Sequence, residues 1–306
     1  MATETSDKKE MILKALFLWN PRINLKEVTF LPGGSNSIAV RAGDQVYRFP
    51  LTAEAFAAMR REAILTEILS NEMTSEARSG IARVFIVEEE NGLSFSYHRY
   101  INGKIMDTVR GETEFNTCYA GLNVEQRSGL AQEIALFFAD LHSLSANIFP
   151  KEFLSDTVSE WDFTQKTDEE QSRELLLRYS GGKLDLNVFK TEISEDVAFC
   201  HNDLSGSNLL IDLESENLLA GIIDFANSGF RPRTDEFIPL YKIGRDLAVR
   251  VIGYYNQQVQ NPVRMAEIDY KFLCFVAFLL EHQKKPSFFV TALIEDFVQS
   301  YFTQRT

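Results

Sequence analysis

Within His201-Asn202-Asp203-Leu204-Ser205-Gly206-Ser207-Asn208 an aspartate is followed five positions later by an asparagine, and a second aspartate, Asp224, follows the apolar run Gly221-Ile222-Ile223 and precedes Phe225. Amide and carboxylate oxygens at Asn208 and Asp224 are hard ligands of the kind Mg²⁺ accepts, and Asp203 is left to orient or deprotonate a hydroxyl. These are the parts that phosphoryl transfer requires, together with a cation on the remaining phosphate charge. The spacing has a physical reading. A short loop turns Asp203 toward an acceptor, Asn208 at the start of the next strand turns back to the metal, and Asp224 reaches that metal from the other strand of the same hairpin. Asp and Asn are also common turn residues, so the inference rests on the order of loop, asparagine, apolar strand and Asp-Phe.

Positioning such a loop takes a scaffold, and the hydrophobic periodicity describes one. A first helix is predicted around Met11–Leu18, then short strands at Val28–Leu31, Ser37–Arg41 and Gln45–Phe49. Pro32-Gly33-Gly34 and Gly43-Asp44 separate them as turn signals. From Ala53 to Leu69 apolar residues recur at spacings of three and four, the helical pattern. Ile81–Val87 and Leu93–Ile101 read as two further strands around Asn91-Gly92, giving a lobe of five strands with one inserted helix. Beyond Asn102-Gly103 the pattern is helical, with an amphipathic stretch at Val124–Leu144 and long periodic segments from Thr234 to Tyr301. In this second part strand signals return only between Val197 and Asp224, as the hairpin Leu209–Ile211 and Leu219–Ile223. The expected architecture is α+β and two-lobed: residues 1–101 strand-rich, 102–306 mostly helical and carrying the loop, with a hinge near residue 101.

The totals agree with a soluble globular chain. At 306 residues, 45% hydrophobic and 25% charged, it can bury a sizeable core and passes the size at which single cores tend to divide. A net charge of -13 argues against a nucleic-acid partner, which binds through clustered Lys and Arg, and favours solubility or cationic ligands. Cys118, Cys200 and Cys274 are odd in number, far apart and in no metal-ligand spacing, which points to a reducing compartment. The polar start MATETSDKKE has no export-signal pattern, and no apolar run reaches the ~20 residues of a membrane span, so a cytoplasmic protein without a membrane partner is expected. No repeat or low-complexity segment is present.

His201 to Asn208 followed by Gly221-Ile222-Ile223-Asp224-Phe225 resembles the signature of the aminoglycoside phosphotransferase family, kinase-like small-molecule phosphotransferases that also include choline, homoserine and fructosamine kinase-like enzymes. The resemblance runs from about Phe30 to Leu240. With Tyr47-Arg48-Phe49-Pro50 it is most similar to the branch that modifies the 2″-hydroxyl of aminoglycosides. It implies the protein-kinase-like fold, an antiparallel-sheet N-lobe for ATP or GTP and a helical C-lobe for the acceptor. Asp203 is then the catalytic residue, His201 the brace of its loop, and Asn208 and Asp224 the Mg²⁺ ligands. Gly33, Gly34 and Ser35 fall where the family covers the nucleotide phosphates. The Arg99 carbonyl and the Ile101 amide fall where it meets the base, and main-chain contacts of that kind leave ATP and GTP undistinguished. Arg48 stands where kinases carry a lysine on the third strand, with Glu62 as its helix partner.

The acceptor is expected to be a small, polycationic molecule held by Asp235, Glu236, Glu267 and Asp269. Each of these acids also reads as a solvated surface group. His98 reads as a pocket-lining or core histidine, and His142 and His282 receive no role. Kinases of other small metabolites, choline, homoserine or a macrolide, are alternatives, as is a catalytically silent kinase-like binding protein. A protein kinase is disfavoured by the missing GxGxxG, Ala-Pro-Glu and activation segment.

Overall fold

The computed structural model describes residues 2–31, 36–74, 80–88, 93–106, 109–110, 114–115, 117–154, 163–164, 166–194, 196–283 and 285–303. The chain divides into two compact units. One comprises Met1–Glu72, Ile81–Ile101 and Asp224–Ala226; the other comprises Met73–Gly80, Asn102–Ile223 and Asn227–Thr306.

The first unit is built on an antiparallel sheet of β1 (Thr29–Phe30), β2 (Ser37–Ala42), β3 (Gln45–Pro50), β4 (Phe85–Val87) and β5 (Phe95–Arg99), in the order β1-β2-β3-β5-β4. The β2–β3 hairpin closes at Gly43, whose φ of +63° is the left-handed conformation for which a hairpin's first central position prefers glycine. Helix α1 (Ala2–Trp19) lays Ile12 and Leu16 on Val40, Tyr47, Phe49 and Phe95. Trp19 meets Tyr47 and Phe95 edge-on at 5.7 and 5.6 Å. The helix is longer than the predicted Met11–Leu18, because the apolar turns that pack are preceded by polar turns that stay exposed at residues 7–10. Strand β4 is shorter than the predicted Ile81–Val87. Ile81, Ala82 and Val84 are buried, but the Val84 amide donates to Thr66 Oγ1 (3.0 Å) and not to a neighbouring strand. Helix α2 (Ala53–Glu72) starts with Thr52 Oγ1 accepting from the Ala55 amide (3.1 Å) and buries Ala55, Met59, Glu62, Leu65, Thr66 and Leu69. Glu62 therefore sits on the apolar stripe, where a carboxylate must find a partner.

The second unit is helical around two short sheets. After α3 (Thr117–Ala120), α4 (Val124–His142) opens with a capping box between Asn123 and Gln126. It buries Leu130, Ala131, Ile134, Phe137, Phe138 and Leu141. Helices α5 (Glu169–Tyr179), α6 (Leu186–Phe189), α7 (Arg245–Gln258), α8 (Met265–Glu281) and α9 (Phe288–Thr303) complete it. Helix α8 is buried almost all round, the pattern of a helix at the centre of a core. Strand β10 (Leu209–Ile211) pairs with β11 (Leu219–Ile222) as the predicted hairpin and with β6 (Lys104–Ile105) on its other edge. Glu133 of α4 accepts the Leu218 and Leu219 amides at 3.1 and 2.5 Å and so holds the hairpin's return strand. Strand β9 (Val197–Cys200) pairs with β12 (Gly229–Pro232). Neither β12 nor β6, nor the pair β7 (Val109–Arg110) and β8 (Glu114–Phe115), was expected. The last three have two residues each, and the Gly and Pro of β12 argue against a strand. Residues Arg233–Lys242 form a 3₁₀ segment containing Pro239, and the ladder of α7 begins only after it.

At Gly103 a Cβ would lie 3.0 Å from Ala220 Cβ, 3.1 Å from Leu210 Cβ and 3.3 Å from Ile211 O, so the hairpin packs on bare backbone. Gly103→Ala is expected to destabilise by about 1–3 kcal/mol through overpacking. Gly253→Ala, on an exposed face of α7 with open space at its Cβ, should stabilise by up to about 1 kcal/mol. Thermal unfolding of the two variants beside the wild type checks both signs.

Candidate active site

The loop between β9 and β10 is fixed from below by burial. His201 is fully buried; its amide donates to Glu236 Oε2 (2.6 Å) and its Nε2 bonds the Ile223 carbonyl (3.0 Å). The Asp203 amide donates to His201 Nδ1 (3.3 Å), which assigns the proton to Nε2. Asn202 turns the chain with φ +69° and donates from Nδ2 to the Asn227 carbonyl (3.1 Å), and Ser228 Oγ donates to the His201 carbonyl (3.3 Å). Leu204 anchors the loop's underside, fully buried. Asn208 Nδ2 donates to the Asp203 carbonyl (2.7 Å) and to Asp203 Oδ2 (3.2 Å), closing the loop on itself. Asp203 is the half-exposed member among buried neighbours, held by a backbone that has little freedom to move.

The asparagine geometry also bears on a metal. With Nδ2 committed to Asp203, the amide oxygen of Asn208 is the atom left for a cation, and amide plus carboxylate oxygens suit Mg²⁺. Ile223 N donates to Asn208 O (3.1 Å), so the residues flanking the β10–β11 hairpin come to the same end of it, and Asp224 is the next residue in the chain. Asp224 has φ +68°.

In the strand-rich unit, Arg48 on β3 pairs with Glu62 of α2 and donates from Nε to Ser96 Oγ (3.3 Å). Burial works to lower the Arg48 pKa, but the charge and hydrogen bond of Glu62, with the charge of Asp224, outweigh it and hold it above its ordinary value. The structure thus joins Arg48 to Glu62, as the sequence suggested, and brings Asp224 within their electrostatic reach. His98 lies on the neighbouring strand. Burial first, then the positive charge of Arg48, lowers it to about 4, against a weaker opposing effect of its Nδ1 hydrogen bond to the Arg99 carbonyl (2.9 Å). Ile101 is buried just beyond β5. Gly33, Gly34 and Ser35 lie outside the described residues.

The four acids assigned to the acceptor are corrected by the structure: they are not solvated but buried, and each is held by partners within the chain. Asp235 is fully buried and bound to Lys271 Nζ (2.7 Å). Glu236 holds the His201 amide, and Glu267 accepts from Thr234 Oγ1 (2.8 Å) and the Ser194 amide (3.1 Å). Asp269 takes a bidentate bond from Arg245 (3.1 and 2.8 Å) and another from the Tyr241 hydroxyl (2.8 Å). These carboxylates tie α8 and α7 to the 3₁₀ segment. One residue near the loop was missed. Lys242, half-buried at the end of that segment, has its pKa lowered by burial against the raising charge of Asp203, which places a cation in the electrostatic field of the loop carboxylate. No spacing rule in the sequence points to it.

Residues 27–268 match the model of the phosphotransferase enzyme family. The chain belongs to that family. It is a small-molecule kinase, and the fold is the two-lobed kinase-like one. A search of the curated proteins returned no match. Among solved structures, the GDP and kanamycin complex of an APH(2″) enzyme is similar at TM-score 0.66 and 18% identity, over 96% of this chain and 98% of that one. ADP-bound aminoglycoside phosphotransferase APH(2″)-Ib is similar at 0.58 and 21%, over 94% and 96%. The macrolide 2′-phosphotransferase MphH from Brachybacterium faecium is similar at 0.61 and 13%, over 88% and 90%. Among the described residues no helix is long and apolar enough to cross a membrane.

Two outcomes are expected from this geometry. Because the folded pKa of His98 lies below the unfolded value of 6.5, the unfolded chain takes up this proton first on acidification. Stability is therefore lost from about pH 6.5 down to about pH 4, by at most ~1.4 kcal/mol per pH unit from this group. His98→Gln should flatten that part of the stability profile, and NMR of the imidazole should show a midpoint near 4. Asp269→Asn should destabilise by about 3–5 kcal/mol, as removal of one partner strands the buried Arg245 guanidinium. Denaturant unfolding measures that loss, and the folded fraction should keep the acceptor KM of the wild type.

Proposed function

We propose that this phosphotransferase moves the terminal phosphoryl group of ATP or GTP to a hydroxyl of a small, aminoglycoside-like cationic molecule. The observation that carries the reading is the closed loop in which buried His201 and Asn208 present Asp203. Asp203 is assigned to orient the acceptor hydroxyl and take its proton, and His201 to keep the loop in register. Asn208 and Asp224 are the proposed Mg²⁺ ligands; when bound, the ion draws charge from the phosphate oxygens. Arg48, kept in place by Glu62 and Ser96, is the proposed phosphate contact, with Gly33, Gly34 and Ser35 as main-chain donors and Arg99 and Ile101 at the base. Lys242 adds positive potential at the loop, where negative charge is carried by a transferring phosphoryl group.

The cationic acceptor is supported by the net charge of -13 and by the kanamycin complex of the similar APH(2″) structure. The buried acids of α8 and the 3₁₀ segment give it no support. The macrolide reading is favoured by the likeness to macrolide 2′-phosphotransferases, MphH among them. Nucleotide turnover across a panel of aminoglycosides, amino alcohols and macrolides, with ATP and with GTP, decides among these. Asp203→Ala should lower turnover by ~10²-fold to 10⁴-fold while nucleotide affinity stays unchanged. Wild-type turnover in that variant would remove Asp203 from the mechanism.

A further inference from the structure

Where β9 leads into the loop, three side chains from separate elements of the helical unit meet. His142 closes α4, Cys200 ends β9, and Glu236 belongs to the 3₁₀ segment. We propose that these three bind one thiolate-accepting divalent cation, zinc by its chemistry, at a structural site separate from the magnesium ligands assigned above. His142 Nε2 lies 3.7 Å from Cys200 Sγ and 3.8 Å from Glu236 Oε2, and one ligand atom from each residue falls within 4.8 Å of the others. Tetrahedral zinc with bonds of about 2.0–2.3 Å has ligand–ligand edges of about 3.3–3.6 Å, so small side-chain adjustments complete the geometry.

Hydrogen bonding accounts for part of the cluster: the Cys200 thiol is within sulfur hydrogen-bond reach of His142 Nε2 (3.7 Å), the Ala198 carbonyl (3.5 Å) and the Arg231 carbonyl (3.9 Å), whereas the Glu236 carboxylate is left incompletely satisfied. At 3.8 Å the imidazole and carboxylate are beyond a normal N–H···O bond. Glu236 Oε1 is buried with no hydrogen-bond partner among the described residues, on a residue that is 0% exposed. Stranding a charged oxygen in this way is costly, and a cation bound by the Glu236 carboxylate lowers that cost. The His142 ring is held in one orientation by its neighbours. It stacks on Phe138 (centroids 5.8 Å), and its Nδ1 lies 2.9 Å from the Tyr255 hydroxyl. That phenol oxygen also accepts from Arg233 Nη1 (3.2 Å). With Nδ1–H donating to it, Nε2 presents its lone pair to Cys200 and Glu236.

Charge and softness select the ion. One thiolate and one carboxylate balance a divalent cation, and the Cys200 proton leaves to solvent when the metal binds, with no redox change. A nitrogen, sulfur and oxygen donor set suits zinc and rejects magnesium or calcium. A water takes the fourth position. The cation would join α4, β9 and the 3₁₀ segment immediately before His201, since Glu236 also holds the His201 amide. The burial of the three side chains requires the metal to enter as the chain folds.

The test is metal content after folding, which is independent of the acceptor and of turnover. Full-length protein is unfolded with chelator, refolded with Zn²⁺ or Co²⁺, and dialysed against a weak competitor. One zinc per chain is expected in the wild type and in Cys118→Ser, and the cobalt form should show thiolate-to-cobalt absorption in the near ultraviolet. Cys200→Ser should lose the absorption and most of the metal. Tyr255→Phe should weaken zinc ~10-fold to 100-fold, as loss of an orienting partner does. Circular dichroism identifies variants that fail to refold; if Cys200→Ser is one, the wild-type cobalt spectrum and Tyr255→Phe decide. Wild type that refolds without metal in excess zinc, zinc held equally by folded Cys200→Ser, or a cobalt form lacking thiolate absorption overturns the proposal.

Discussion

The backbone amide of His201 donating to the buried carboxylate of Glu236 fixes the end of β9, and the rest of the helical unit's active face depends on it. The hydrogen bond sets where the chain leaves the strand, and the left-handed turn at Asn202 follows from the direction in which it must then go. His201 can reach the Ile223 carbonyl only from that position, and this bond ties the loop to the return strand of the hairpin. Asn208 then closes the loop onto Asp203 from the opposite side. A half-exposed carboxylate held by a buried frame keeps its orientation without spending binding energy of a ligand on ordering.

The same principle governs the acids that surround it. Glu267, Asp269, Lys271 and Arg245 lie in an interior that is otherwise aromatic and aliphatic, and each is matched by a charge or a hydroxyl from another element. Pairing of this kind is weak evidence for stability, since well-packed apolar side chains often do as well. Its visible effect here is directional. Two bonds from Arg245 to Asp269 hold α7 and α8 in one relative rotation, and Lys271 and Glu267 hold the 3₁₀ segment onto α8 through Asp235 and Thr234.

Sequence reasoning succeeded where one local pattern determines the outcome. The hairpin at Gly43-Asp44, the helix carrying Glu62 and the β10–β11 pair are each set by residues close in the chain. It failed where partners are distant. Nothing near Asp235 or Asp269 in sequence announces that Lys271 and Arg245 will bury them, and in the linear pattern they look like any solvated acid. Lys242 became visible only once the 3₁₀ segment had brought it to the loop. Strands of two residues, such as β6, carry no periodicity to detect, and β12 is a strand in spite of its glycine and proline because β9 offers a ladder. His142, Cys200 and Glu236 show the same limit, since cysteine spacing cannot signal a cluster assembled from three elements.

An arginine at position 48, where an amine would be reactive, limits what strand β3 can react with. A guanidinium stays protonated under all ordinary conditions and has no basic amine to offer an electrophile. Held by Glu62 and Ser96, with its pKa raised further, this one is less nucleophilic still. Acyl phosphates and aldehydes that form bonds with an amine find no lysine on β3. Acetylation, which can silence a lysine, has no hold on this residue. Reagents that depend on capturing an amine at this position would therefore pass this enzyme by.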